Sequence, residues 1–211
     1  MDFSLSEERK MLQETIARFF ENHYDNINKH HINGNLPNGF DNNFWQESAD
    51  LGIISALVSP DFGGLGGTGE DISLVFELIG KSLCVEPFLS TGVLSSTALS
   101  CINEPKTKIL SEIIDGKLIV SFAHSEMNSR YEESHVETKA TSSPEGWIIN
   151  GNKSFVLNGD TANKIIVSAR IGGEINDKNG IGIFLVDKDH IKTRSYNTID
   201  GYRAAELEFT N

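Results

Sequence analysis

The chain has 211 residues, 38% hydrophobic and 23% charged, and a net charge of −12 at pH 7, so it can bury a sizeable core and is too apolar for disorder to dominate. Residues 1–116 hold 7 Lys and Arg against 17 Asp and Glu, and residues 117–211 hold 11 against 13, so no basic cluster is offered to a nucleic-acid backbone or an anionic membrane. The first residues carry no basic segment leading into an apolar stretch, and no apolar run is long enough to cross a bilayer, which makes the cytoplasm the expected location.

The first half reads as helices. Ser4 with Glu7 has capping-box spacing, and Leu12, Ile16, Phe19 and Phe20 form one apolar stripe of a helix running to about Tyr24. A polar loop spans 30–39. Asp41 then caps a short helix with Phe44, Trp45 and Ala49, closed at Leu51-Gly52. Residues 60–71 read P-D-F-G-G-L-G-G-T-G-E-D, in which Gly64, Gly66 and Gly69 have the spacing of a dinucleotide-binding loop. That loop must follow a buried strand directly and lie within a parallel sheet. Here Ser59-Pro60-Asp61-Phe62 intervenes and no partner strand follows, so the expectation is a glycine-rich turn before a helix. That helix is lined by Ile72, Val75, Phe76, Ile79 and Leu83, the next by Val93, Leu94, Ala98 and Ile102, and a last one begins at Pro105 and stops at Gly116. Cys84 and Cys101, each within an expected helix and without His nearby, read as two buried thiols, with neither disulfide nor metal.

From Lys117 the apolar period changes from about 3.6 to about 2. Strands are expected at 118–124, 136–140, 147–149, 154–157, 165–169, 181–186, 191–196 and 205–209. Tight turns are expected at Pro144-Glu145-Gly146, Asn150-Gly151, Asn158-Gly159 and Asp200-Gly201, with 172–180 as a polar loop. The fold class is therefore α+β: an N-terminal all-α domain over 1–116, then an antiparallel β-barrel or sandwich domain over 117–211.

Four stretches, in order, resemble the acyl-CoA dehydrogenase family. Residues 60–67 are similar to its P-E-x-Y-G-G-x-G, and 121–126, S-F-A-H-S-E, stand in the place of its flavin-binding A-x-x-x-T-E-P. Residues 147–153, W-I-I-N-G-N-K, are like its Y-x-L-N-G-x-K, and Asn158-Gly159 with Ala162 are like its T-N-G-x-x-A. The resemblance implies N-terminal helices, a middle β domain and a C-terminal four-helix bundle that has no counterpart in 1–211. It implies FAD, an acyl-CoA substrate, electron-transfer flavoprotein as acceptor, a homo- or hetero-oligomer, and a role in fatty acid metabolism.

Carried over by position, Phe122, His124 and Ser125 line the flavin, and Phe155, Val156 and Leu157 match a W-I-T stretch that meets its ring. Leu157 lacks the hydroxyl of that pattern. After Glu126 the small residues of P-x-A-G-S-D give way to Met127-Asn128-Ser129-Arg130-Tyr131-Glu132, as in a divergent branch that includes small subunits of heteromeric enzymes such as pimeloyl-CoA dehydrogenase. Arg130 and Tyr131 are the substrate-binding candidates, Arg130 for a phosphate or carboxylate of a CoA ester. The family's catalytic Glu lies on the bundle, so no residue here is assigned as catalytic. Two other readings stand beside dehydrogenation: a non-catalytic binding or structural subunit, and a related acyl-CoA oxidase or flavin monooxygenase.

Overall fold

The computed structural model describes residues 5–24, 35–102 and 107–210. Helix α1, Glu7–His23, is capped by Ser6, whose hydroxyl accepts from the Arg9 amide at 3.3 Å; Ser4, the expected cap, lies outside the described residues, as do 30–34 of the polar loop and Pro105. Ile16 and Phe20 of α1 are buried, with Leu12 and Phe19 packed beside them. Helix α2, Asn42–Asp50, starts at Asp41, whose carboxylate accepts from the Asn43 and Phe44 amides, and Gly52 follows it at φ 87°. Phe20, Tyr24, Phe44, Trp45 and Phe88 form one buried aromatic cluster, with centroid separations from 5.1 to 6.3 Å, the range in which ring pairs add to simple burial.

The glycine loop folds back on its own approach. A Cβ on Gly64 would lie 1.9 Å from the Val58 carbonyl oxygen and one on Gly66 2.4 Å from that of Ala56, whereas one on Gly69 meets nothing. Gly69 is merely the first residue of α3, Gly69–Ser82, capped by a Thr68–Asp71 box. Among the described residues from 53 to 102 there is no strand. The first two glycines thus serve close backbone packing, and the sheet that a dinucleotide loop requires is not there.

After α3, Leu83 does not join the buried stripe; it is the exposed left-handed cap, at φ 53°. Phe88–Ser95 is a π-helix continuing into α4, Ser96–Ser100. Of the expected apolar stripe Val93, Ala98 and Ile102 pack against the core and Leu94 is exposed, but the most buried face is one of small and hydroxyl residues, Ser90, Thr91, Gly92, Ser95 and Ser96. The hydroxyls explain this, since Thr91 and Ser95 donate to the Val120 carbonyl at 2.9 and 2.8 Å and so complete the edge of the first strand. Cys84 is buried but Cys101 is exposed, both are free, and neither lies in a helix. Helix α5 is Thr107–Ile114, and Gly116 follows at φ 71°.

The strands are β1 Val120–Ala123, β2 Lys139–Ser143, β3 Gly146–Leu157, β4 Lys164–Arg170, β5 Ile181–Asp187, β6 Lys192–Asn197 and β7 Arg203–Phe209, in the order β1-β4-β2-β3-β7-β6 with β5 also on β4. The fold is α+β. The sheet is mixed rather than uniformly antiparallel, because β1 pairs with β4 in parallel, as does β2 at one position. β2 begins three residues later than expected. Asn150-Gly151 is not a turn: β3 runs through it, pairing with β2 up to Asn150 and with β7 from Gly151 on. A Cβ at Gly151, φ 149°, would come within 2.5 Å of Thr138 Oγ1. Gly151 is thus the corner at which one strand passes from one set of partners to the other.

Candidate functional site

Strand β1 and the residues after it alternate, so Phe122 and His124 share one face while Ala123 is buried on the other. Their rings are nearly parallel, 11° apart with centroids at 5.9 Å. The β3–β7 register shifts between Lys153 and Val156, and within this bulge Phe155 takes φ 52° and is 56% exposed. A bulge re-aims side chains in this way. The π-helix supplies the opposite wall. Ser90, Leu94, Phe122, His124, Ser125, Phe155 and Leu157 together line a cleft of ≈ 280 Å³.

Five of the six flavin candidates therefore meet in one place. Val156, the sixth, does not line it, for its side chain is buried in the core. Ser90 and Leu94 come from the other half of the chain, and no local motif points to them. Arg130 and Tyr131 line neither this cleft nor the larger groove described below; they sit in successive left-handed conformations, φ 45° and 70°, and Tyr131 is fully exposed.

Beneath the cleft lies a buried ion pair, Lys153 with Glu126, whose side chains are 0% and 4% exposed and 2.7 Å apart. Lys153 Nζ also donates to the His124 carbonyl at 2.9 Å and to Ser168 Oγ at 3.1 Å, while Glu126 accepts from the Glu137 and Thr138 amides at 2.6 and 3.0 Å. Burial works against both charges and leaves the Lys153 ammonium below its ordinary value. It would raise the Glu126 carboxyl, but the hydrogen bonds from Lys153 and Thr138 outweigh it and hold that group below the usual carboxylate range. The His124 imidazole is pushed down by burial and then by the Lys153 charge.

A larger groove, of ≈ 590 Å³, is lined by this pair together with residues of β6 and β7. The charges that β6 and β7 bring to it are paired between the two neighbouring strands, Lys192 with Glu208 at 2.7 Å and Arg194 with Glu206 at 2.8 Å. Glu126, His135 and Glu137 also bring ligand-type atoms within 4.8 Å of one another. Glu126 is committed to Lys153 and two amides, and Glu137 accepts from Asn128 at 3.2 Å and contacts His135 at 2.9 Å, so these groups are satisfied by the protein itself.

The N-terminal domain of acyl-CoA dehydrogenases matches residues 6–117 and the middle domain of acyl-CoA dehydrogenases matches residues 121–211. The chain belongs to the acyl-CoA dehydrogenase family. It is 30% identical over 198 residues to the mitochondrial isovaleryl-CoA dehydrogenase of Pongo abelii, which covers 87% of this chain and 44% of that protein. Its fold matches a chain of the ChsE4–ChsE5 complex from Mycobacterium tuberculosis with a TM-score of 0.83, at 21% identity over 100% of this chain and 56% of the other. It also matches PigA in its FAD complex with a TM-score of 0.78, at 22% identity over 100% and 57%. The chain spans about half the length of the curated relatives it matches. Among the described residues no helix is long and apolar enough to cross a membrane.

Proposed function

We propose that this chain forms the flavin-facing part of an FAD-dependent acyl-CoA dehydrogenase, working with further helices and a partner subunit. The observation that carries this is the convergence of Phe122, His124, Ser125, Phe155 and Leu157 on one cleft, although they lie on two separate stretches of the chain. The lining fits a flat, largely apolar ring system: three aromatic rings, two leucines and the hydroxyls of Ser90 and Ser125. When bound there, FAD supplies the acceptor for the β-hydrogen of an acyl-CoA thioester, which leaves as hydride.

The chain's own part is to bind and orient. Ser125 offers a hydroxyl to the polar edge of the ring, and the bulge holds Phe155 out from the sheet as an apolar wall. The main chain around Val156 takes part without its side chain. Arg130 and Tyr131 stand outside the cleft, free to meet the phosphates or a carboxylate of a CoA ester. Removing the α-proton requires a base within hydrogen-bond reach, and no carboxylate lines the cleft. Glu126, the nearest in sequence, is locked to Lys153. The 211 residues alone are therefore expected to turn over no acyl-CoA.

The alternative, a non-catalytic subunit, is favoured by two features: Leu157 stands where the family pattern has a hydroxyl, and Arg130-Tyr131 stand where it has small residues. The experiment is to purify the gene product with its natural partners, record flavin absorbance, and assay acyl-CoA thioesters with electron-transfer flavoprotein or an artificial acceptor. A yellow, active assembly is expected. A flavin-loaded but inactive assembly supports the subunit reading, and one that carries no flavin overturns the dehydrogenase reading.

A further inference from the structure

His124 is the one titratable side chain among those lining the cleft, and its Nδ1 lies 2.8 Å from Ser168 Oγ. Ser168 is on β4, fully buried, and its hydroxyl sits between that ring and the Lys153 ammonium at 3.1 Å. An ammonium can only donate. The three N–H groups of Lys153 go to Glu126, the His124 carbonyl and Ser168, so Ser168 Oγ accepts from Lys153 and keeps its own hydrogen to give. Its other hydrogen-bond partner among the described residues is His124 Nδ1, and that hydrogen finds an acceptor there only if Nδ1 is the unprotonated nitrogen; an Nδ1–H would take the second lone pair of Oγ and leave the buried hydroxyl hydrogen unpaired.

We propose that Ser168 is a positioning residue for the cleft: by donating to Nδ1 it fixes His124 as the Nε2–H tautomer, so that the ring beside Phe122 meets a ligand uncharged and in one orientation. The part that concerns the ligand rests on the flavin reading above. Protonating Nδ1 would turn that hydrogen bond around and leave the Ser168 hydroxyl hydrogen with no acceptor in a buried site, which is costly. The charged groups that act on the ring agree in part. Lys153, on β3, opposes protonation, whereas Glu126 and Glu133, in the segment after β1, favour it, as does the Glu133 backbone, and the balance lies with burial and Lys153.

The test begins with ¹⁵N chemical shifts of the His124 ring in the 211-residue chain, wild type and Ser168→Ala, with circular dichroism as the control for folding. The expected result is an Nε2–H ring in the wild type that titrates below about 6.5, and a mixed or rising ring signal in S168A. An Nδ1–H ring in the wild type, or one unchanged by S168A, overturns the proposal.

The second arm measures flavin retained by the purified gene product in S168A, H124F and the double variant. A several-fold loss in S168A that disappears in the H124F background shows that Ser168 acts through His124. Additive losses overturn that link. A wild-type product with the expected ring tautomer that retains no flavin overturns the flavin reading, and with it the ligand part of this inference, while the ring spectrum still decides whether Ser168 holds His124.

Discussion

Lys153 and Glu126 form a pair whose worth shows when it is broken. Removing one partner leaves a buried charge uncompensated, which in comparable cases costs about 3–5 kcal/mol, whereas replacing both by apolar groups of similar volume is often neutral. Lys153→Met alone should therefore destabilise the chain by roughly that amount, and the double change K153M/E126L should recover only part of it in urea unfolding, because the Glu137 and Thr138 amides and the His124 carbonyl lose their partners with the pair. The pH dependence follows from the depressed Glu126 carboxyl. Since its folded value lies below its unfolded one, its stabilisation is complete above the unfolded carboxylate range, about 4.3, and is lost as the pH falls through the folded value. The urea midpoint should drop on the acid side, and Glu126→Gln should flatten that drop; an unchanged acid slope in E126Q would contradict the assignment.

At the scale of elements, the glycine loop gives a prediction that separates packing from ligand binding. Gly64→Ala places a methyl 1.9 Å from the Val58 carbonyl and should cost several kcal/mol or abolish folding, while Gly69→Ala, open on all sides, should change the thermal midpoint little and can gain from the better helix propensity of alanine. A phosphate-cradling loop would make both glycines matter for ligand binding alike. The same contrast shows what the sequence revealed and where it fell silent. The helix start at Asp41 and most strand positions were legible because their signals are local. The Asn150-Gly151 pair misled because a glycine at a strand corner and a glycine in a hairpin turn are written identically, and only the distant Thr138 tells them apart. The helix after Pro87 buries hydroxyls that serve the Val120 carbonyl, which the apolar stripe did not show: Val93, Ala98 and Ile102 pack only at the margin of the core and Leu94 is exposed. The parallel pairing of β1 with β4 joins residues more than forty apart and leaves no periodic trace. In the candidate site, the family motifs located β1 and the bulge, but Ser90, Leu94 and Ser168 reach it only through tertiary structure.

For the whole molecule, the helical and β halves share one core. The cluster that contains Phe44 and Leu78 is continuous with Val120, Ile165 and Leu207, and polar contacts cross between the halves: the Tyr202 hydroxyl donates to the Cys84 carbonyl at 2.9 Å and Ser90 Oγ to Asn158 Oδ1 at 2.8 Å. The two tryptophans, Trp45 and Trp147, lie one in each half. Fluorescence-detected urea unfolding of W147F, which leaves Trp45, and of W45F, which leaves Trp147, should each coincide with the circular dichroism transition of the same variant, as expected for a single cooperative unit. Separate midpoints would mean that the halves unfold independently.

The hydroxyl face of the π-helix carries this into the question of how such chains can be recombined. Thr91 and Ser95 complete the backbone of β1 from across the boundary near residue 117, so part of the edge bonding of the second half is encoded in the first. A hybrid joined there from two relatives inherits the strand from one parent and its hydrogen-bond donors from the other. Where the second parent has an apolar residue in either place, the Val120 carbonyl loses a donor inside the core. The workable crossover therefore lies upstream of the π-helix, so that the hydroxyls and the strand they cover are inherited together.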